Sequence, residues 1–362
     1  MAELSFSNDA GIPDGLWSPV ARPCGPVGAA TRHMLDLARF FPVDGLHWSD
    51  MLVSETRRHL AGCTNAVETA LVMDLDAAIA GALPGGGDRI AWSTLQTRPQ
   101  VIGASLLSHM RLRAGVGLLM RGALEARGEA VAPAGEDSGW LIDDADAVVA
   151  QAAVALALAE GRWSVIGGED MPMRPDLPAE YFAELVWMVA AVLGTALARA
   201  GVLDRERAME AVDAAALRLL ARHDEQAGAL AHAVALARLL RDRPDHAEHL
   251  GRALAQGRIL LFAALAADRA RIRMEAVLDA LIQQPLAVLA GLCHVLGGSS
   301  TDFRHLLLRL MPVRGLDDSA LVIAGARFEA LTADEAKAAI VPLRRPEALR
   351  GPLAMLGEDE ER

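Results

Sequence analysis

Apolar residues recur at every third or fourth position along most of the chain, in stretches separated by short polar breaks. This is the period of an α-helix with one apolar face, so the pattern predicts an all-α protein. The first helix is predicted at residues 29–41, because Pro42 stops it. The other predicted helices cover residues 49–61, 65–83, 98–126 with an interruption around Gly115 and Gly117, 143–160, 178–201, 204–219, 224–241, 245–256, 258–269, 272–282, 284–296 and 301–311.

Several helix ends are marked by capping residues. Thr332 with Glu335 three residues later forms a capping-box pattern, in which each side chain satisfies a backbone N–H at the start of a helix. Asn65 followed by Glu68 resembles the same pattern and predicts that a new helix starts there, separate from the helix before it.

The best candidate for an interdomain linker is Gly167-Gly-Glu-Asp-Met-Pro-Met-Arg-Pro175, which has two glycines, two prolines and no apolar period. Short connections between the later helices favour antiparallel helix pairs, as in a helical bundle or a HEAT-like array. The predicted organisation is a flexible N-terminal arm (1–27), an N-terminal helical domain (28–165), a linker (166–177), a C-terminal helical domain (178–312), and short helices with an acidic tail (313–362).

Composition supports the helical prediction and excludes some partners. Hydrophobic residues make up 52% of the chain and aromatic residues only 4%, and the abundant Ala and Leu enter helices at little cost. A net charge of −12 disfavours binding to nucleic acid or to an anionic membrane, since both need a basic surface. The longest apolar run, residues 185–198, is too short to cross a membrane of roughly 30 Å and predicts a buried core helix. No membrane insertion is expected.

The cysteines and the first residues predict a cytoplasmic location. Cys24, Cys63 and Cys293 are odd in number, lie far apart and form no Cys-x-x-Cys pattern, which disfavours a disulfide framework or a zinc site. The first six residues contain no apolar segment of the kind found in a secretory signal.

The densest polar cluster contains His223, His246 and His249 together with neighbouring acids. Histidine with carboxylate can bind a transition metal or carry a phosphoryl group, so this region is the alternative candidate for a site. The established metal-ligand spacings on helices are absent, however, and solvated histidines at helix ends are the other interpretation.

Motifs for catalysis or cofactor binding are also absent. The sequence has no Gly-x-Ser-x-Gly and no Gly-x-Gly-x-x-Gly, and the glycine-rich stretch 84–88 lacks the Lys-Ser/Thr of a phosphate-binding loop. We therefore expect no cofactor, no metal and no small-molecule substrate, and the chain is more consistent with a non-enzyme. Aromatic residues that could anchor a protein partner, or else belong to the core, are Phe40, Phe41, Trp187 and Phe262. If residues 259–262 are fully buried, they are core and the interface lies elsewhere.

Two segments resemble the DUF2336 family of uncharacterised bacterial proteins, over roughly residues 175–312. They are Leu177-Pro-Ala-Glu-Tyr-Phe182 and the block from Leu250 to Ala266. Leu261 stands where the family often has a second aromatic residue, and the aspartate expected near Arg258 is missing. The family blocks correspond here to Arg252-Ala-Leu254, Gly257, Phe262, Ala264-Leu-Ala266, and then residues 289–303.

The resemblance implies an all-α fold, bundled or HEAT-like, and no catalytic residues or established activity. Together with the residue patterns it predicts a bacterial, non-enzymatic cytosolic scaffold or regulatory adaptor, which binds another protein or a second copy of itself. The alternative is a histidine phosphotransfer or metal-binding module around His223, His246 and His249.

Overall fold

A computed structural model of the chain describes residues 29–41, 51–84, 89–129, 140–201, 204–243, 245–345 and 349. Within these ranges the chain forms sixteen α-helices and no strand, which confirms the all-α class. The predicted arm (1–27) and the acidic end of the chain lie outside the described residues. The HEAT-like arrangement stays a prediction.

The helices have the following bounds in chain order. They are α1 (Ala29–Phe40), α2 (Met51–Asp74), α3 (Ala77–Ala80), α4 (Ile90–Thr97), α5 (Ala104–Glu129), α6 (Ala147–Ser164), α7 (Ala179–Ala200), α8 (Arg205–Ala221), α9 (Ala229–Leu240), α10 (His246–Ala255), α11 (Ile259–Ala270), α12 (Met274–Ile282), α13 (Leu286–Val295), α14 (Ser300–Arg314), α15 (Asp318–Ala330) and α16 (Ala333–Ile340). Short 3₁₀ turns lie at Pro99–Val101, Glu225–Ala227 and Val341–Arg344.

The described residues divide into two compact units, one within Ala30–Phe262 and the other within Ala263–Arg362. The segment 166–177, which the sequence predicts as a linker, lies inside the larger unit. Two of its apolar side chains, Met173 and Leu177, are buried in the core of that unit.

Helix α2 is the centre of the larger unit, where it packs against α4, α5, α7 and α8. It is one helix of 24 residues, so the prediction of two separate helices is wrong. Helix α5 likewise runs without a break through Gly115 and Gly117, where the sequence predicted an interruption. The residues that suggested a break in α2 make tertiary contacts instead. The Asn65 amide donates to the carbonyl of Glu169 at 2.8 Å. The Glu68 carboxylate accepts the N–H groups of Ile90 and Ala91 at 2.9 and 3.1 Å, and so satisfies the start of α4.

Gly62, in the middle of α2, allows the segment after α6 to lie directly on the helix. A Cβ atom at this position would lie 2.7 Å from Cβ of Met173 and 2.9 Å from the carbonyl oxygen of Met171. The glycine therefore serves close packing between distant parts of the chain.

Helix α7 is longer than the apolar run that predicted it. Its 22 residues span about 33 Å, and among the described helices it alone is long and apolar enough to cross a membrane. The helix exceeds the apolar run 185–198 because it includes flanking residues at both ends. Half of its most apolar window is buried inside the protein, as in a core helix, and α8 packs along it. Its buried residues are Phe182, Leu185, Val186, Met188, Val189, Ala190, Leu193, Gly194 and Leu197.

In the smaller unit, α13 packs on α16 and α14 packs on α15. The rings of Phe303 and Phe328 stack there with centroids 4.6 Å apart. The capping box of Thr332 and Glu335 is present at the start of α16, as the sequence predicted.

Candidate functional site

The structure places His223 in a structural contact with the start of α7. Its Nε2 lies 2.9 Å from the carbonyl oxygen of Leu177, and its ring stacks on Phe182 at 3.9 Å between centroids. Because a carbonyl can only accept, Nε2 carries the proton in this contact.

The other two candidate histidines lie on α10. His249 is buried, with its ring centroid 5.7 Å from that of Trp140 and its Nε2 3.2 Å from a carboxylate oxygen of Asp245. The side chain of His246 is outside the described residues. Across the part of the chain that the structure describes, no group of three or more His, Cys, Asp or Glu residues could hold a metal ion. The metal and phosphotransfer alternative stays a prediction.

The four aromatic candidates for an interface divide into two groups. Phe40, Phe41 and Phe262 are buried, whereas Trp187 on α7 is 39% exposed. Residues 259–262 are all buried, so they belong to the core and do not form an exposed interface.

Sequence reasoning missed a buried polar network between α2 and α5. Glu55 accepts hydrogen bonds from Nε of Arg58 at 3.0 Å, from Nε2 of His59 at 3.1 Å and from Nη1 of Arg121 at 2.8 Å. Burial alone raises the pKa of Glu55, but the hydrogen bonds from His59, Arg58 and Arg121 outweigh it and hold that pKa far below the usual range. This carboxylate therefore stays ionised.

The histidine of the network is held neutral. Burial lowers the pKa of His59 to about 4, and the nearby charge of Arg113 adds to this effect, while the hydrogen bond to Glu55 opposes it. An ionised acid beside a neutral imidazole, both enclosed by arginines, holds helices together and offers no proton donor near neutral pH.

A second buried network fixes the segment 166–177 to α5 and α6. Nη1 of Arg113 lies 2.8 Å from Asp176, and both side chains are almost completely buried. The indole N–H of Trp163 lies 3.1 Å from both carboxylate oxygens of Asp176, and the Arg113 guanidinium lies 5.0 Å from the Trp163 ring centroid. Nη2 of Arg113 donates to the carbonyl of Arg174 at 3.1 Å. The charges are paired, so the network links the two helices and this segment, and the loss of one partner would leave the other charge buried without compensation.

A third buried contact holds the last turn of α6. Nε of Arg258 donates to the Glu160 carboxylate at 2.7 Å, just before the start of α11. Burial raises the pKa of Glu160, while Arg258 and a backbone hydrogen bond from Leu260 oppose that shift. Helix α6 is therefore fixed from its inner face by Trp163 and Glu160, in addition to apolar packing on α5 and α9.

The outer face of α6 is different, because it is exposed and apolar. Leu158 is 66% exposed and Ile166, just beyond the helix, is 80% exposed. The only ionisable residues among the 18 of this helix are Glu160 and Arg162, and Arg162 is also engaged, with Asp176 at 3.6 Å. The exposed positions from the helix start through its continuation are Ala147, Val148, Gln151, Val154, Leu158, Gly161, Val165 and Ile166. An apolar helix face of this length, which no described residue covers, is the feature of the larger unit that best fits a binding surface.

A family model described as "Uncharacterised protein conserved in bacteria (DUF2336)" matches residues 125–340. The match covers more than half of the chain and extends on both sides of the segment that the sequence blocks suggested. It begins in the last turns of α5 and includes α6 and every later helix to α16. No significant match was found among curated proteins or among solved structures.

Proposed function

The chain belongs to the DUF2336 family, and on that premise we propose that it is a non-enzymatic cytosolic scaffold or regulatory adaptor that binds protein. The family is described as conserved in bacteria, and its description states no activity. The observation that carries the proposal is the outer face of α6, where Val154 and Leu158 are exposed on a helix whose two charged side chains, Glu160 and Arg162, make internal contacts.

The rigidity of this helix supports the proposal. A surface that binds protein loses less conformational entropy on binding when its backbone is already fixed. Trp163 and Glu160 fix α6 from inside, through contacts to Asp176 and Arg258.

A cytosolic location is supported by the cysteines that the structure describes. Cys63 and Cys293 are both buried as free thiols, as expected for a protein of a reducing compartment. Burial raises the pKa of the Cys63 thiol to about 11 and that of Cys293 to about 12, which keeps both unreactive.

The test compares proteins captured by the tagged full-length chain from the cells that produce it, quantified by mass spectrometry. The variants are Leu158→Glu on α6 and, as a matched control, Leu217→Glu on α8, where the leucine is similarly exposed. We expect a protein captured by the wild type and the control to fall by at least about tenfold with Leu158→Glu. Equal recovery with both variants would refute the role of α6, and the absence of any captured protein would refute the adaptor role.

A further inference from the structure

The exposed positions of α6 have the spacing of a helix-packing seam. Positions 147, 151, 154, 158 and 161 are all exposed and follow one another by four, three, four and three residues, and the exposed Val165 follows four residues later as the first residue beyond the helix. This alternation keeps side chains on a single line along a helix and is the pattern by which two helices pack together. The occupant that fits this face is therefore another helix.

When two copies of the seam run antiparallel, the side chains that face each other are complementary in size. A two-fold axis beside residue 156 places Val154 of one copy opposite Leu158 of the other. It likewise places Gln151 opposite Gly161, and Ala147 near Val165, which follows the end of the helix. Each larger side chain therefore faces a smaller side chain or a glycine, as a self-complementary two-fold interface requires.

Charge also favours a second copy in this orientation. The chain carries a net charge of −12, so two copies repel unless they meet where no acid is exposed. Residues 147–159 contain no ionisable side chain, and Glu160 is buried against Arg258. An antiparallel pair also opposes the two helix dipoles, so that the N-terminal end of each α6 lies beside the C-terminal end of the other.

We propose that the outer face of α6 binds α6 of a second copy of this chain, antiparallel about a two-fold axis beside residue 156. This inference rests on the proposed function, since it names the partner of the same surface. One 18-residue helix per copy forms a small interface, and the expected dissociation constant is therefore in the micromolar range.

Sedimentation velocity of the full-length chain, over concentrations from roughly 1 to 200 µM, measures this equilibrium. The wild type should shift from monomer to dimer across the range. Leu158→Glu should weaken the dimer at least about tenfold, because it buries a carboxylate opposite Val154. Val154→Lys should do the same, and Leu217→Glu on α8 should leave the equilibrium unchanged. Circular dichroism checks that each variant retains the wild-type helix content and melting temperature, as expected for substitutions at exposed positions.

The orientation is tested by mixing the two monomeric variants, Val154→Lys and Leu158→Glu. In a mixed antiparallel pair, the lysine introduced in one chain lies opposite the glutamate introduced in the other, while the second contact keeps the wild-type Leu158 and Val154. Dimers should therefore reappear in the mixture at a concentration where neither variant forms them alone. A parallel pair would place each residue opposite its own copy and would give no such recovery of both contacts.

Each result decides the proposal. A wild-type chain that stays monomeric refutes it, as does a dimer that Leu158→Glu leaves intact or a mixture that shows no recovery. If the chain is monomeric but still captures another protein through Leu158, the adaptor role stands and this inference fails. If the dimer forms as described and no other protein is captured, the inference stands and the adaptor role fails.

Discussion

Two buried histidines should make the larger unit lose stability as the pH falls below neutral. Burial lowers the pKa of His109 to about 3 and that of His59 to about 4, with Arg113 opposing protonation in both cases. Both values lie below the ordinary 6.5, so the unfolded chain binds a proton at a pH where the folded chain does not. Their contribution is complete above pH 6.5 and is lost progressively as the pH falls toward the folded values.

The magnitude follows from proton linkage. Each histidine lowers the free energy of unfolding by about 1.4 kcal/mol per pH unit below 6.5. A change from about pH 7 to about pH 5 therefore removes roughly 2 kcal/mol of that free energy per histidine. The buried acids do not add to this loss of stability between about pH 7 and about pH 5. Burial raises the pKa of Glu68, Glu160 and Glu184, so these groups favour the folded state as the pH falls, whereas Glu55 loses its contribution only below 4.5.

A variant isolates the histidine contribution from that of the acids. His109 stacks on Tyr181 with ring centroids 4.3 Å apart, and His109→Phe keeps an aromatic ring there without a titrating group. Urea unfolding followed by tryptophan fluorescence reports on the larger unit, because residues 263–362 contain no tryptophan. The loss of unfolding free energy between about pH 7 and about pH 5 should be roughly 2 kcal/mol smaller in the variant. An equal loss in both proteins would refute the assignment of a depressed pKa to His109.

Three further predictions concern unfolding free energies measured in the same way. Asp176→Ala leaves Arg113 buried without its ion pair and should lower the free energy of unfolding by about 3–5 kcal/mol. Asp176→Asn should lower it less, because the amide oxygen can still accept the hydrogen bond from Trp163. Gly62→Ala should lower the free energy of unfolding by about 1–3 kcal/mol through the close contact with Met173. Gly122→Ala on α5, with open space around it, should raise that free energy by up to about 1 kcal/mol. Glu68→Ala should cost about 1–2 kcal/mol, because two N–H groups at the start of α4 lose their acceptor, and no loss would contradict the capping role.

The features that the sequence predicted well depend on neighbouring residues. The capping box of Thr332 and Glu335 involves residues three apart, and Gly201 ends α7 in the left-handed conformation at φ +73°, where glycine has no steric cost. Such contacts can be recognised from the residue types alone, because helix geometry fixes their distance.

The features that the sequence missed depend on partners far along the chain. Asn65 and Glu68 are residue types typical of a helix N-terminal cap, but their partners are the carbonyl of Glu169 and the start of α4. The buried network around Glu55 gives a partial signal, since Arg58 and His59 follow at three and four residues on the same helix face. Arg121 lies 66 residues away, and no local pattern predicts that it completes the network.

The outer face of α6 shows why an apolar helix is hard to interpret from its sequence. A helix that is apolar on all sides is typical of a buried position, and the inner face of α6 follows that rule. The same pattern arises when a helix is buried on one side by its own chain and on the other by a partner. A helix buried wholly by its own chain and one covered partly by a partner differ in the contacts that their few charged side chains make. Both Glu160 and Arg162 are used in internal contacts, so the outer face keeps no charge to hold it in water. This is the face that the proposed second copy of α6 would cover.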